Sequence, residues 1–526
     1  MSLFCLRKHH LVALGLFLAV FSLPAQTIIT NFAGLTLSDV SALGTGGTPP
    51  DTMGAAGTNQ FVEFINGGFA IYTKDGVRQS LISDIAFWTN AGISSATIAA
   101  GLSDTRIIYD AGSARWFATE ITVDSVSNKV LVARSDSSNP AGSWKAVSFL
   151  GNSGFADYDT LGVDSQALYV GVNDFDVTGT IFTGVSFFSI PKTNLLATTP
   201  TLANMTKFEN LDANTYGFTL QGVCNPAPGA GHGVMIAIDN VTLKRFDRTT
   251  VSNPGGAGAT LTGHVQISNL YDGSPVPATQ PGTRTIDSLD DRFSGAVKQV
   301  GGYIFMANTV TNTGSPKCAV HWLVMNETNN AIIGEGIITS NNYDFYQPSI
   351  AANKGGKMLL GFNRSGSVTT TGDISIYAAV GTWSGAGASM GAPFLIKQGT
   401  VSNFGVSGDK SPYRWGDFSA TMADPTDDNL FWTIQEIPAS STTWGTQMAL
   451  ISVATNQPAL DIARSGTNVI VKWPLSTDPA YVLQSNTNLL ATNSWATLSS
   501  AQTISINQIL VTLPTTNRTA FFRLKK

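Results

Sequence analysis

Four arginines and a set of acids recur in one kind of short phrase, and together they have the functional groups to handle a sugar. Arg106, Arg292, Arg364 and Arg414 each sit in or beside a turn that leads into an apolar strand. The acids Asp51, Asp104, Asp157, Asp291, Asp417 and Glu436 accompany them. A guanidinium grips two carboxylate oxygens at once. Two carboxyls at a suitable separation can serve as acid and base on a glycosidic bond. Repetition favours a plainer role, because a catalytic group is needed once whereas a structural one recurs. The preferred reading is that each Asp caps a turn and each Arg pairs with it to fix neighbouring units.

Other candidates are weaker. His232 lies in the loop Gly229-Ala230-Gly231-His232-Gly233, where it could move a proton or touch a ligand. With His264 and His321 it lacks the spacing of a transition-metal site. The acidic turns Asp287/Asp290/Asp291 and Asp424/Asp427/Asp428, and Asp174 with Asp176, offer oxygens to a structural Ca²⁺. Solvated turn aspartates are the preferred account of them, and no other cofactor is implied. No phosphate-binding P-loop occurs. Trp88, Trp116, Trp144, Trp322, Trp415 and Trp432 could stack on sugars, but at strand positions such as Trp116 and Trp432 core packing is the expectation.

These residues need elements to position them, and the phrases themselves supply the pattern. They begin near Asp51, Asp104, Asp157, Tyr216, Asp290, Tyr346 and Arg414. A period of roughly fifty residues or more marks a repeat architecture. Four short strands and their turns fit each interval, which predicts an all-β fold, a β-propeller of seven blades with six or eight as alternatives. Equivalent positions in successive blades converge on the axis, so the Arg and Asp side chains are expected at one mouth of a central channel. The segment 27–41 is strand-like and should pair with 448–453, closing the ring. The stretches 251–259 and 275–281 read as surface insertions.

Composition agrees. Charged residues are 12%, Gly is abundant at 52 residues, and aromatics at 10% are enough for a packed core. Residues 1–25 read as a signal peptide: Arg7 and Lys8 precede the apolar run 11–23, which is too short to span a membrane. The expected setting is therefore secreted or periplasmic, with no membrane span. Beyond residue 25 there are 28 basic and 35 acidic residues, a net charge of −7. That argues against a nucleic-acid partner. Cys224 and Cys318 remain, either as one disulfide or as two buried apolar side chains. The expected organisation is a signal peptide over 1–25, a propeller over 26–455 and a small module over 456–526. In the last, short alternating strands such as 469–474 and 481–485 suggest an immunoglobulin- or fibronectin-like β-sandwich.

The phrase Pro49-Pro50-Asp51-Thr52-Met53-Gly54 with Asn66-Gly67-Gly68-Phe69 resembles the opening of a group of secreted bacterial β-propeller proteins. Segments 104–116, 287–292, 346–364 and 414–436 look like that group's other hallmarks, and the likeness runs from about residue 45 to 455. Most of the group is of unknown function, and its blades are distantly similar to sialidase repeats. A sialidase would need an arginine triad, a Tyr–Glu nucleophile pair and an acid. The sialidase Asp-box is only faintly visible at Ser135-Asp136 to Gly142-Ser143-Trp144, with the wrong spacing. The tail ending Phe521-Phe522-Arg523-Leu524 resembles a module appended to many secreted proteins of environmental bacteria, which implies a surface, sorting or adhesion role.

The leading expectation is a monomeric binding module for a glycan or an extracellular protein. A sialidase-like glycoside hydrolase or lyase, and a cell-envelope adhesion scaffold, are the alternatives.

Overall fold

The computed structural model describes residues 26–453, apart from 125–126, 227–230, 243, 271–272, 312–313, 315 and 407. It also describes residues 460–525, apart from 475–480, 489–493, 506–507 and 515–519. The expected signal peptide lies outside these residues. The chain divides into two compact units, Gln26–Val453 and the residues from Ala454 onward. No helix among the described residues is long and apolar enough to cross a membrane.

The first unit is a β-propeller. Its described residues contain seven antiparallel sheets, six built on four consecutive strands and the seventh on three consecutive strands joined by the first strand of the chain. Their innermost strands are Gly54–Ala56, Leu102–Asp110, Phe155–Val163, Phe218–Gly222, Lys298–Val300, Asp344–Ala352 and Ala420–Asp424. In the seventh sheet the outermost strand is the first of the chain. Thr27–Thr36 runs antiparallel to Trp444–Ser452, with Thr27 opposite Ser452. This covers an edge that would otherwise present unpaired amides and carbonyls.

Apolar residues alternate with polar ones along each strand only at the outer edges. Inner and middle strands are buried on both faces, because each sheet packs between two others. Phe117, Val130, Leu168 and Phe188 fill the space between the second and third sheets, and Phe305, Val320, Met358 and Phe362 that between the fifth and sixth. Near the axis the strands crowd. A Cβ on Gly171 would sit 2.0 Å from the carbonyl oxygen of Leu220, so only glycine lets the third and fourth sheets approach there.

The stretch 275–281 is a buried strut, which corrects its reading as a surface insertion. Gln280 is 2% exposed and grips Phe404 at both ends, Nε2 donating to its carbonyl at 2.7 Å and Oε1 accepting its amide at 2.8 Å. Cys224 and Cys318 are both free and buried.

The second unit is a small β-sandwich of two sheets. One contains Asp461–Ser465, Asn468–Pro474, Gln508–Pro514 and Gln502–Ser505. The other contains Ala496–Thr497, Val482–Asn486 and Phe521–Lys525. Val471, Trp473, Leu483 and Val511 form its core.

Candidate functional site

The recurring phrase is a β-bulge. The inner strands of the second, third, fourth and sixth sheets each lose register with their neighbour, between Ser103 and Arg106, Asp157 and Thr160, Phe218 and Gln221, and Tyr346 and Ser349. Within each break one non-glycine residue has positive φ: Asp104 at 66°, Tyr158 at 56°, Thr219 at 55° and Gln347 at 51°. A left-handed residue of this kind costs about 1–3 kcal/mol unless its surroundings fix it. Here the preceding blade fixes it. The Asp104 amide donates to Asn66 Oδ1 at 3.0 Å, that of Tyr158 to Asp104 Oδ2 at 2.8 Å and that of Thr219 to Asn173 Oδ1 at 2.9 Å. The Gln347 amide donates to Thr309 Oγ1 at 3.2 Å. Each bulge twists its strand and presents side chains toward the axis.

At the end where the inner strands begin, these bonds close into a circuit. Asp51 Oδ2 accepts from Asn66 Nδ2 at 2.7 Å and Asp51 Oδ1 from the Asp417 amide at 3.0 Å. Tyr158 Oη donates to the Asp417 carbonyl at 3.1 Å. Asp51, Asn66, Asp104, Tyr158 and Asp417 are thus linked around the axis. Above them Arg414 Nη2 meets Asp417 Oδ1 at 2.9 Å. Arg292 forms a two-point contact with Asp290, Nε at 2.7 Å and Nη2 at 2.6 Å, while its guanidinium stacks on the Tyr158 ring at 4.1 Å.

The electrostatics follow from this crowding. Burial, with Asp417 and Asp104 nearby, pushes the Asp51 carboxyl well above the usual carboxylate range. Burial and Asp104 raise Asp157 to about 7 against the pull of Arg292. Burial raises Asp417 to about 6, opposed by Arg414. Asp291 reaches about 7 through burial and its neighbour Asp290. Carboxyls held partly neutral near one another can share an axis without mutual repulsion unfolding it.

Of the eleven residues singled out in the sequence, Asp51, Asp104, Asp157, Asp417, Arg292 and Arg414 are brought together at this mouth, with Asp291 in the adjoining loop. Arg106 lies on the axial side of the circuit, where Nε donates to the Asp159 carbonyl at 2.8 Å and Nη1 to that of Ser294 at 3.2 Å. Its guanidinium lies 3.3 Å from the centroid of the Phe418 ring. Glu436 is 3% exposed and accepts the Gly416 amide at 2.6 Å, so it braces the loop that carries Asp417. Arg364 and His232 sit elsewhere. Arg364 stacks between Tyr343 and Tyr377 at 4.1 and 4.3 Å and donates to the Thr371 carbonyl. His232 Nε2 meets Glu327 Oε1 at 3.0 Å, and Glu327 also binds Arg248 at 2.6 Å. These two belong to blade construction, because each is consumed by contacts away from the mouth.

Carboxylates of two of the oxygen-rich turns meet cationic side chains. Asp424 is bound by Lys74 at 2.8 Å and by Trp432 Nε1 at 2.9 Å, and Asp290 clamps Arg292. No group of three His, Cys, Asp or Glu among the described residues is placed to hold a metal. The tryptophans are core: Trp88, Trp116, Trp415 and Trp432 are at most 1% exposed.

Sequence reasoning passed over Asn66, Tyr158 and Phe418, which hold the hub together. All three lie in the phrases, yet they read as punctuation beside the charged residues. The signal that could have found them is the adjacency Asp157-Tyr158-Asp159 and Asp417-Phe418, an aromatic between or beside carboxyls in a repeated turn.

No family model matches the chain, and no curated protein matches it. Among solved structures, a protein of unknown function from Dyadobacter fermentans is similar at 11% identity over 78% of this chain and 94% of its own, with a TM-score of 0.33. Trypanosoma rangeli sialidase is similar at 13% identity and a TM-score of 0.33, over 66% of this chain; the match spans 54% of the sialidase. An α-L-arabinanase of Cellvibrio cellulosa, solved with arabinohexaose, is similar at 11% identity over 66% of this chain and 94% of its own, with a TM-score of 0.32. The reading of the site rests on its own geometry.

Proposed function

We propose that the chain is a glycan-binding propeller rather than a glycosidase, and that the sugar sits on the mouth formed by Asp157, Arg292, Arg414, Asp417 and Asp290. The observation that supports this is how the charged groups are already engaged. Arg292 is held by Asp290, Arg414 by Asp417, and Asp51 and Asp104 accept backbone amides. A fixed lattice of donors and acceptors suits sugar hydroxyls, which need orientation rather than reaction. Acid–base hydrolysis needs two carboxyls free to exchange protons with substrate and water, and here Asp51, Asp104 and Asp417 are committed to the hub. The mouth still has open edges, since the side chains of Arg414 and Asp290 are 43% and 36% exposed.

This reading goes with a monomer working outside the cytoplasm. The C-terminal sandwich would then be an appendage for surface attachment or sorting.

A glycan array read beside a panel of chromogenic glycosides tests the proposal. Capture of a glycan without turnover, weakened in Arg414→Ala, supports it. Turnover lost in Asp157→Asn would replace it with the hydrolase reading, because Asp157 is the mouth carboxyl raised toward neutrality. Silence in both assays would leave a protein partner or a scaffold role.

A further inference from the structure

The inner strands of all seven sheets line an axial cavity of about 480 Å³, which Arg106 borders. The walls are mainly small and apolar: Met53, Leu161, Val163, Ala296, Ala351 and Met422. Arg106 closes one end. Its guanidinium reaches from the second sheet to the Asp159 carbonyl in the third sheet's inner strand and the Ser294 carbonyl before the fifth's, and it packs on Phe418 before the seventh's.

That guanidinium is incompletely satisfied. Arg106 is 3% exposed, and its Nη2 has no hydrogen-bond partner. The nearby Asp159 does not complete it: its Oδ2 accepts from Thr119 Oγ1, and its Oδ1 is likewise without a partner. A buried cationic donor left unpaired is costly, and in a native fold it calls for an account. At the other end the rim carries Lys298 and the exposed Lys354. The rim acids are mostly neutralised, Asp110 by Lys192 at 2.5 Å and Asp424 by Lys74 at 2.8 Å.

We infer that this cavity is a second binding site, distinct from the mouth, and that it takes a small carboxylate with an apolar body. The carboxylate would accept from Arg106 Nη2, the body would lie against the alanine, valine, leucine and methionine wall, and the rim lysines would favour entry of an anion. Tyr109 is the one aromatic among the lining residues, so a sugar ring finds little to stack on there.

Isothermal titration calorimetry of the full chain with octanoate, octanol and octylamine tests the site. The expected result is one octanoate per chain, bound about tenfold or more tighter than octanol, with octylamine inert. Arg106→Met would abolish the preference for octanoate over octanol, but Arg106 also braces the hub and the variant could fail to fold. Ala296→Phe serves as the second variant, because Ala296 is a half-buried lining residue outside the packed hydrophobic clusters, so the added ring narrows the bore without removing a charged group. It should remove octanoate binding while leaving the glycan array pattern of the mouth unchanged, so failure of this inference and failure of the glycan reading stay distinguishable. No heat with octanoate, equal binding of octanol, or undiminished octanoate binding in Ala296→Phe would each overturn the inference.

Discussion

The backbone amide of Asp417 donates to Oδ1 of Asp51 at 3.0 Å, joining residues 366 positions apart. Asp51 precedes the first blade's inner strand and Asp417 precedes the last one's, so this bond closes the hub on the inside. On the outside the same job falls to Thr27–Thr36 against Trp444–Ser452. The propeller is thus closed twice, once by a carboxylate at the axis and once by a strand at the rim.

Breaking the inner closure should be costly. Asp51→Ala leaves the Asp417 amide without an acceptor in a buried setting and Asn66 Nδ2 with the Pro49 carbonyl alone. The expected loss is about 1–3 kcal/mol for each unsatisfied group. Urea unfolding of the full chain checks this, and an unchanged midpoint would mean that the circuit contributes nothing.

Deleting residues 27–36 removes the outer closure. The strand Trp444–Ser452 then becomes a free edge with nine residues of exposed ladder. We expect loss of monomeric solubility, read as a shift to large species in size-exclusion chromatography. A monomeric deletion variant with native circular dichroism would show that the inner closure suffices.

Stability should fall as pH rises from about 4.5 to 7. Glu63, buried among Leu35, Tyr72 and Thr446, is raised by burial from 4.5 to about 7. Asp157 and Asp291 rise from 3.8 to about 7, and Asp417 to about 6. In this window the folded chain holds protons that the unfolded chain has released, so each unit of rising pH disfavours folding until the folded groups also ionise. Asp424 works the other way: burial pushes it up, but Lys74, Thr426 and Trp432 hold it below 3.8, so its contribution is lost only at lower pH. A melting temperature several degrees higher at pH 5 than at pH 8 is expected, with a smaller difference in Glu63→Gln. A melting temperature that rises across this range would contradict the assignment.

Both cysteines should be silent in the native protein. Burial pushes the Cys318 thiol to about 12, and its Sγ donates to the Val276 carbonyl at 2.7 Å. Cys224 is 5% exposed. Peptide mapping after iodoacetamide should find neither labelled in buffer and both labelled in denaturant without any reductant. Labelling that requires reductant would reveal a disulfide.

How far the sequence could be read follows from the kind of information each feature carries. The blade phrases were visible because turn residues precede an apolar run at each blade, although the four bulges themselves differ in sequence, at Ser103–Arg106, Asp157–Thr160, Phe218–Gln221 and Tyr346–Ser349. The closing strand was visible because its apolar alternation had no other partner. Pro275 to Pro281 misled because proline suggests a loop, whereas its burial depends on Gln280 meeting Phe404 at a distance of 124 residues. Arg106 and Arg414 look alike in the phrases, yet one closes a buried cavity and the other edges the mouth. That difference arises from which blade faces which across the axis, and local patterning does not encode it. Arg364 and His232 were drawn in by charge alone, and their stacking and ion-pair partners are tertiary.

If the repeated carboxylates build the hub and do not act as an acid–base pair, Asp104→Asn should weaken the fold and leave catalysis untouched, with the urea midpoint and turnover of a chromogenic glycoside panel measured on the same preparation. Asp104 Oδ2 caps the Tyr158 bulge, and an amide placed there accepts more weakly and brings a second, unmatched donor to Ser103. The expected result is a lower midpoint and no turnover in either the parent or the variant. A parent that turns over a glycoside, with that activity lost in Asp104→Asn at an unchanged midpoint, would contradict it.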